Sequence, residues 1–323
     1  MNGVDILKSI PLKKRFAKDC NLPISVFDSP YFEERLKILD ERFDCISKFG
    51  EFCRELSDFN SAEEYFAYYN SVKDSIINSL KGNRSFNHFN EANFPKNNND
   101  FSNRNLYVND NNGGFFISID MNKANFSALR HYSDNIFNNC KTWEEFIGSF
   151  TDKKHIIDSK YIRQVVFGNC NPKKQIQYET FLMNTLAEYI KTALKDKVNI
   201  YSVASDEIII SYFNPNSTEN NESCYTLDEL VGIIKKCPNG IGNLVKVESF
   251  TLKKLGNFGW HKTGFNAITE ENIDVFKGIN SEIYPQIVKY EQNLPLTDND
   301  LVFYHDGKLA RFLEGVENPW KND

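Results

Sequence analysis

The run Phe115 to Asp120, "FFISID", puts Phe115, Ile117 and Ile119 on one side of a strand and Phe116, Ser118 and Asp120 on the other. A helical pattern, Asn122 to His131, follows at once. An apolar strand that ends on a carboxylate and turns straight into a helix calls for a sheet with helices packed on it and an acid at the rim. A second acid falls in "IYSVASDEIIISYF": Val198 to Tyr212 reads as a hairpin whose tight connection is Ser205-Asp206-Glu207. If these strands are neighbours in one antiparallel sheet, Asp120 and Asp206 lie side by side, and such carboxylates repel unless a cation sits between them. Turns favour Asp, so the hairpin tip alone is explained by turn chemistry. Its pairing with Asp120 is what points to a metal site, with Mg²⁺ or Mn²⁺ as the fitting hard cations and two ions as the expectation.

The remaining sequence is that of a packed globular protein. Of its 323 residues 41% are hydrophobic and 14% aromatic, with 27 Phe and 15 Tyr, enough for a sizeable core. A net charge of -6 argues against a protein that simply coats nucleic acid, though not against an enzyme that confines its basic residues to a groove. Seven cysteines without a CxxC pair indicate reduced thiols. No apolar run has transmembrane length, and "MNGVDILKSIPLKKRF" lacks a signal-peptide core, so a soluble intracellular protein with no membrane partner is expected.

Helical patterns fill Ser29 to about Leu80, opening with Ser29 as N-cap and Pro30 at the first helical position, and resuming at a capping box of Ser61 with Glu64. Gly82 to Gly114 is dominated by Asn and reads as a loop or insert. Further capping boxes pair Thr142 with Glu145 and Thr226 with Glu229. Lys174 to Lys195 carries a helical apolar stripe of Tyr178, Phe181, Leu182, Thr185, Leu186, Tyr189 and Ala193, read as core. "NPNSTENNES" is a surface loop, Val245 to Leu252 alternates as a strand, and Asp306-Gly307 marks a hairpin within a C-terminal segment expected to pack on the sheet.

Between the two acids, "KYIRQVVFGNCNPKKQ" places Lys160, Arg163 and Phe167 on one helical face. Such a face suits a triphosphate with a ring against base or sugar; a solvated basic helix with Phe167 in the core is the equal alternative. Lys173 and Lys174 follow. Downstream, Lys253 and Lys254 interleave with Phe258, Trp260, His261 and Lys262, a pattern that suits a nucleic-acid backbone. A core Trp260 with edge lysines explains the same letters. His131 reads as a hydrogen-bonded structural residue, since five scattered histidines show no zinc spacing.

Three of these segments resemble, in order, the motifs of family A DNA polymerases and the related single-subunit phage RNA polymerases. "DMNKANFSALRHYS" resembles motif A, "KYIRQVVFGNCNPKKQ" motif B and "ASDEIIIS" motif C. The resemblance covers about Gly113 to Trp260 and looks closest to compact viral and mobile-element members, which implies the cytoplasm or nucleus of a host cell. It implies an α+β fold: a polymerase-like right hand with an antiparallel-sheet palm. The corresponding regions are a helical thumb-like region at 1–81, the Asn-rich insert at 82–112, palm at 113–135 and 197–275, reduced fingers at 136–196, and a C-terminal segment at 276–323. Asp120 and Asp206 become catalytic metal ligands, with the Met121 backbone carbonyl and, in a secondary role, Glu207. Lys160, Arg163, Phe167 and Asn125 become nucleotide contacts, and Lys173, Lys174, Lys253 and Lys254 contacts to a DNA or RNA primer-template. The sequence departs from the pattern at Ser159, where the family has Arg, and at Asn125, where the DNA polymerases usually have Glu, which leaves the choice between dNTP and NTP open. The acids stand only 86 residues apart, from 120 to 206, so the fingers must be small. Other palm-type nucleotidyltransferases, namely transfer-RNA guanylyltransferases and nucleotide cyclases, share acidic hairpin tips, and a non-catalytic nucleic-acid-binding palm is the rival of another class.

Overall fold

The computed structural model describes residues 9–95, 101–194, 198–211, 226–256, 259–305 and 307–311. In chain order the elements are α1 (Ile10–Asp19), α2 (Tyr31–Phe43), α3 (Cys45–Leu56), α4 (Ala62–Gly82), α5 (Arg84–Glu91), β1 (Phe115–Met121) and α6 (Ala124–Tyr132). There follow α7 (Trp143–Gly148), α8 (Lys154–Ile157), α9 (Lys160–Gly168), α10 (Pro172–Leu194), β2 (Asn199–Val203), β3 (Glu207–Ser211) and α11 (Leu227–Lys235). The last are β4 (Val245–Leu255), β5 (Gly259–Asn266), β6 (Glu271–Lys277), α12 (Tyr284–Glu291), β7 (Val302–His305) and β8 (Lys308–Arg311). This is an α+β protein in two compact units. Among the described residues one comprises 9–82, 140–170 and 279–311, the other 83–139 and 171–278.

The second unit is built on a six-stranded antiparallel sheet of order β2-β3-β1-β4-β5-β6. The alternation read in β1 is realised, and both of its faces are covered. Phe116 joins Ile209, Phe250, Leu252, Trp260 and Leu106 in one cluster, with Tyr107 and Tyr201 packed against it. Ile117, Ile119, Ile208, Ile210 and Val247 lie buried on the other side. Helix α10 packs on β2 and β3 and on α6. Its buried face runs through Gln175, Tyr178, Glu179, Leu182, Met183, Leu186, Ala187, Ile190 and Leu194, turned from the stripe expected: Phe181, Thr185 and Tyr189 are half-buried and Ala193 is exposed. The Asn-rich segment is not all loop. Asn83 caps α5 by accepting from the Phe86 N–H at 3.0 Å, and Phe86 and Phe89 are buried, so two phenylalanines three apart outweigh the polar composition.

Among its described residues the first unit is helical apart from the β7-β8 hairpin. Phe16, Phe32, Phe49, Phe52 and Tyr65 form its aromatic centre, with neighbouring ring centroids at 4.9 to 5.8 Å. Buried Asp19, at the end of α1, accepts from Tyr69 Oη of α4 at 2.9 Å and from Ser159 Oγ at 2.7 Å. Ser159 Oγ also accepts from the Ile162 N–H at 3.0 Å and so caps α9, which packs on α1 and α4. Helix α2 starts one residue later than the sequence predicts: Pro30 occupies the N-cap, and Ser29 Oγ donates instead to Glu33 Oε1 at 2.6 Å. The other predicted caps form, Ser61 accepting from Glu64, Thr142 from Glu145 and Thr226 from Glu229. The C-terminal hairpin belongs to this unit rather than to the sheet, because Arg35 of α2 donates to the Val302 carbonyl at 2.8 Å and α12 packs on α2. The segment expected to form the fingers divides, Cys140–Cys170 lying in the first unit and Asn171 onward in the second. The expected loop 214–223, Phe258 and Asp306 lie outside the described residues.

Candidate active site

The second unit brings the two acids of the sequence argument together. Strands β1 and β3 pair in antiparallel register with Asp120 opposite Glu207, and the Met121 N–H donates to the Asp206 carbonyl at 2.8 Å. The end of β1 and the tip of the β2-β3 hairpin are thus one hydrogen-bonded structure. Beyond Asp120 the chain turns sharply: the Asn122 N–H donates to the Leu244 carbonyl at 2.9 Å, and Lys123 takes the left-handed conformation at φ 48° before α6 begins.

On the far side of β1, Asp120 stands opposite Lys246 of β4. Lys246 Nζ lies 3.2 Å from Asp120 Oδ2 and 2.6 Å from Glu248 Oε1, and Lys262 Nζ meets Glu248 Oε2 at 2.9 Å. Acid and base alternate along this row of one sheet face, and Glu207 joins it by accepting from Ser118 Oγ at 2.5 Å. Burial pushes the Asp120 carboxyl up to about 6, with the Lys246 charge opposing and the Glu207 and Asp206 charges adding to the rise. Glu248, gripped by two ammonium groups, is held below the ordinary carboxylate range against the effect of its burial.

A third acid, absent from the sequence reading, belongs to the same neighbourhood. Glu179 of α10 is only 3% exposed, and burial, followed by the charge of Asp206, pushes its carboxyl up to about 7. It accepts at 2.7 Å from Nδ2 of Asn125, on the first turn of α6. Asp206 therefore lies within electrostatic reach of both Asp120 and Glu179. The only sequence hint of Glu179 was its place beside the buried stripe of α10, one residue after Tyr178.

The other expected site residues fare differently. Phe167 is 1% exposed and packs on Trp143 with ring centroids at 5.2 Å, so it is a core residue of the first unit and offers no ring face to a base. Arg163 is half-buried on α9, and desolvation lowers its pKa against the nearby Glu144 charge; Lys160 is exposed. Both belong to the first unit, as does Ser159, whose hydroxyl is committed to the cap of α9. Lys173 is exposed at the start of α10, and Lys174 lies 5.0 Å from the Phe94 ring centroid. Lys253 is exposed on β4, while Lys254 Nζ donates to Asn109 at 2.7 Å. The expected interleaved surface does not extend along β5. Lys262 is buried on Glu248, His261 meets Asp274 at 2.6 Å, and Trp260 is core. His131 is structural: Nε2 donates to the Asn239 carbonyl at 2.8 Å, which leaves Nδ1 to accept from Tyr178 Oη at 2.9 Å.

Among the described residues no three acidic, cysteine or histidine side chains gather as a metal-holding group, and no helix is long and apolar enough to cross a membrane. No protein-family model, curated protein or solved structure matches the chain.

Proposed function

We propose that the chain is a nucleotidyltransferase that extends a 3′-hydroxyl on a nucleic-acid template, with the six-stranded sheet as its palm in a polymerase-like right hand. One observation carries the reading: the strand end that bears Asp120 and the hairpin tip that bears Asp206, far apart in sequence, are joined by the Met121 N–H to Asp206 carbonyl bond at the rim of one sheet, where burial first and the neighbouring acids second push the Asp120 carboxyl up to about 6. Two half-buried acids on adjoining strand ends are a cation site in waiting.

The donors suit Mg²⁺. That ion is usually held by one or two carboxylates, with waters and substrate phosphates completing its shell. Asp120, Asp206 and the Met121 backbone carbonyl would supply hard oxygens of this kind. When bound, the metal activates the attacking hydroxyl and stabilises the departing pyrophosphate. The chain's own groups do the rest. Lys246 holds Oδ2 of Asp120 and keeps that carboxylate in a fixed orientation. The exposed Lys173 and Lys253, which belong to the same unit as the two acids, are assigned to the nucleic-acid backbone. Glu179, when ionised, takes the Asn125 amide nitrogen, so Asn125 presents its carbonyl oxygen as an acceptor. Such an acceptor on the first turn of α6 would suit a ribose hydroxyl, which favours NTP over dNTP.

Primer extension with Mg²⁺, comparing NTPs with dNTPs and the wild type with Asp206→Asn, tests the proposal. Templated extension that the substitution abolishes supports it. Addition of a single nucleotide without a template transfers the site to guanylyltransferase-like chemistry, and binding without turnover makes it a non-catalytic palm.

A further inference from the structure

In the first unit, α1, the segment after it and α9 enclose a groove of about 700 Å³. Its walls carry Lys14 and Lys18 from α1, Phe27 and Asn21 from the segment, and Tyr161 and Gln164 from α9, above an aliphatic floor. No carboxylate lines it, although the whole chain carries a net charge of -6. Neither lysine has a carboxylate partner among the described residues. Lys14 Nζ lies 5.8 Å from the Phe27 ring centroid and Lys18 Nζ 5.5 Å from that of Tyr161. Other lysines of the same unit behave differently: Lys13, Lys153 and Lys154 each sit on an acid, at 3.1, 2.5 and 3.1 Å.

Behind the groove, the Arg15 guanidinium is stacked between Tyr69 and Tyr161, at 4.6 and 4.9 Å from their centroids. Its Nε and Nη1 are buried without a hydrogen-bond partner, and its neighbouring anion is the buried Asp19. A third positive charge thus stands behind the Tyr161 wall.

We infer that this groove binds single-stranded nucleic acid, one or two nucleotides at a time. Ammonium groups meet phosphates, flat rings stack on bases, and the amides of Asn21 and Gln164 offer donors and acceptors to sugar or base edges. A volume of this size is that of a small-ligand cleft. Stacking demands unpaired bases, so a duplex does not satisfy the rings. An acidic peptide would neutralise the lysines but leave the ring faces unused. The site lies wholly within the first unit and does not depend on the proposed catalysis.

The test is fluorescence anisotropy with labelled oligo-dT and oligo-U, without Mg²⁺, on the full chain. The wild type is expected to bind. Lys14→Glu with Lys18→Glu, both at exposed positions, should weaken binding at least tenfold in protein whose thermal unfolding shows it folded. The neutral pair Lys14→Gln with Lys18→Gln should lower the slope of log affinity against log salt by about 1.4, for two phosphate contacts on a single strand. Asp206→Asn should bind as the wild type does, whatever primer extension shows of the catalytic reading. The inference is overturned if the wild type does not bind, if the charge reversal leaves affinity unchanged, if Asp206→Asn abolishes binding, or if duplex or poly-glutamate competes as well as the single strand.

Discussion

Lys246 and Asp120 face each other across the β1-β4 ladder, ammonium to carboxylate at 3.2 Å. The pair is half-open to solvent, and the lysine is shared with Glu248. Replacing it by Met removes the cation that, among the described residues, offsets the Glu207 and Asp206 charges at Asp120. Lys246→Met should drive the Asp120 carboxyl above 6 and cost about 2 kcal/mol of stability, the figure being kept low because the pair is partly hydrated. Carboxyl-detected NMR titration and denaturant unfolding read the two effects separately.

Stability should fall on the alkaline side of the carboxylate range. Asp120 and Glu179 rise in the folded state from ordinary values of 3.8 and 4.5 to about 6 and about 7. Between those limits the folded protein keeps protons that the unfolded chain has released. The stabilisation is therefore complete below pH ~4 and is lost as pH climbs through 6 and then 7. For the buried Glu179 the swing is about 3 kcal/mol. Glu179→Gln should flatten that limb and make the protein more stable at pH 8, as followed by urea unfolding across pH.

Millimolar Mg²⁺ should reverse the Asp120 shift. A cation between the carboxylates favours their ionised forms, so the titration of Asp120 moves down from about 6 in the wild type and stays put in Asp206→Asn. NMR titration with and without the metal checks this with no turnover required.

Ser159→Ala should destabilise the first unit by about 2 kcal/mol. It deletes the cap of α9 and one of the two hydroxyls that Asp19 accepts from, leaving a buried carboxylate with Tyr69 alone. Thermal unfolding compared with Ser159→Thr, which keeps a hydroxyl, separates the cap from side-chain volume.

Gly264→Ala should disrupt the β4-β5 ladder. A methyl there would come within 1.9 Å of the Ser249 carbonyl and 2.6 Å of the Phe250 Cα, both backbone atoms that cannot yield cheaply. A loss of about 3 kcal/mol is expected in chemical unfolding.

The juxtaposition of Asp120 and Asp206 was legible because both signals are local. A period-two strand and a hairpin tip place their acids at strand ends, and antiparallel pairing leaves few ways to arrange them. Glu179 was not legible, since a glutamate beside a helical stripe looks like any solvated one until α6 and the hairpin close over it. Lys246 and Lys262 hid for the same reason: along β4 and β5 they alternate like edge lysines, and only the cross-strand register gives each an acid. Phe167 shows the opposite limit. Its spacing from Arg163 was right, but spacing on a helix does not say which side meets Trp143. In the Asn-rich segment the helix rests on two buried rings, Phe86 and Phe89, that composition does not register.

The backbone bond from Met121 to Asp206 has an evolutionary corollary. The chain between the two acids leaves the second unit at Cys140, rejoins it at Asn171 and returns to the same rim. Because main-chain pairing of β1 with β3 sets the separation of the carboxylates, the excursion can be lengthened, trimmed or exchanged without disturbing them. Length and sequence in the excursion are thus free to drift while the spacing of the two acids at the rim stays fixed.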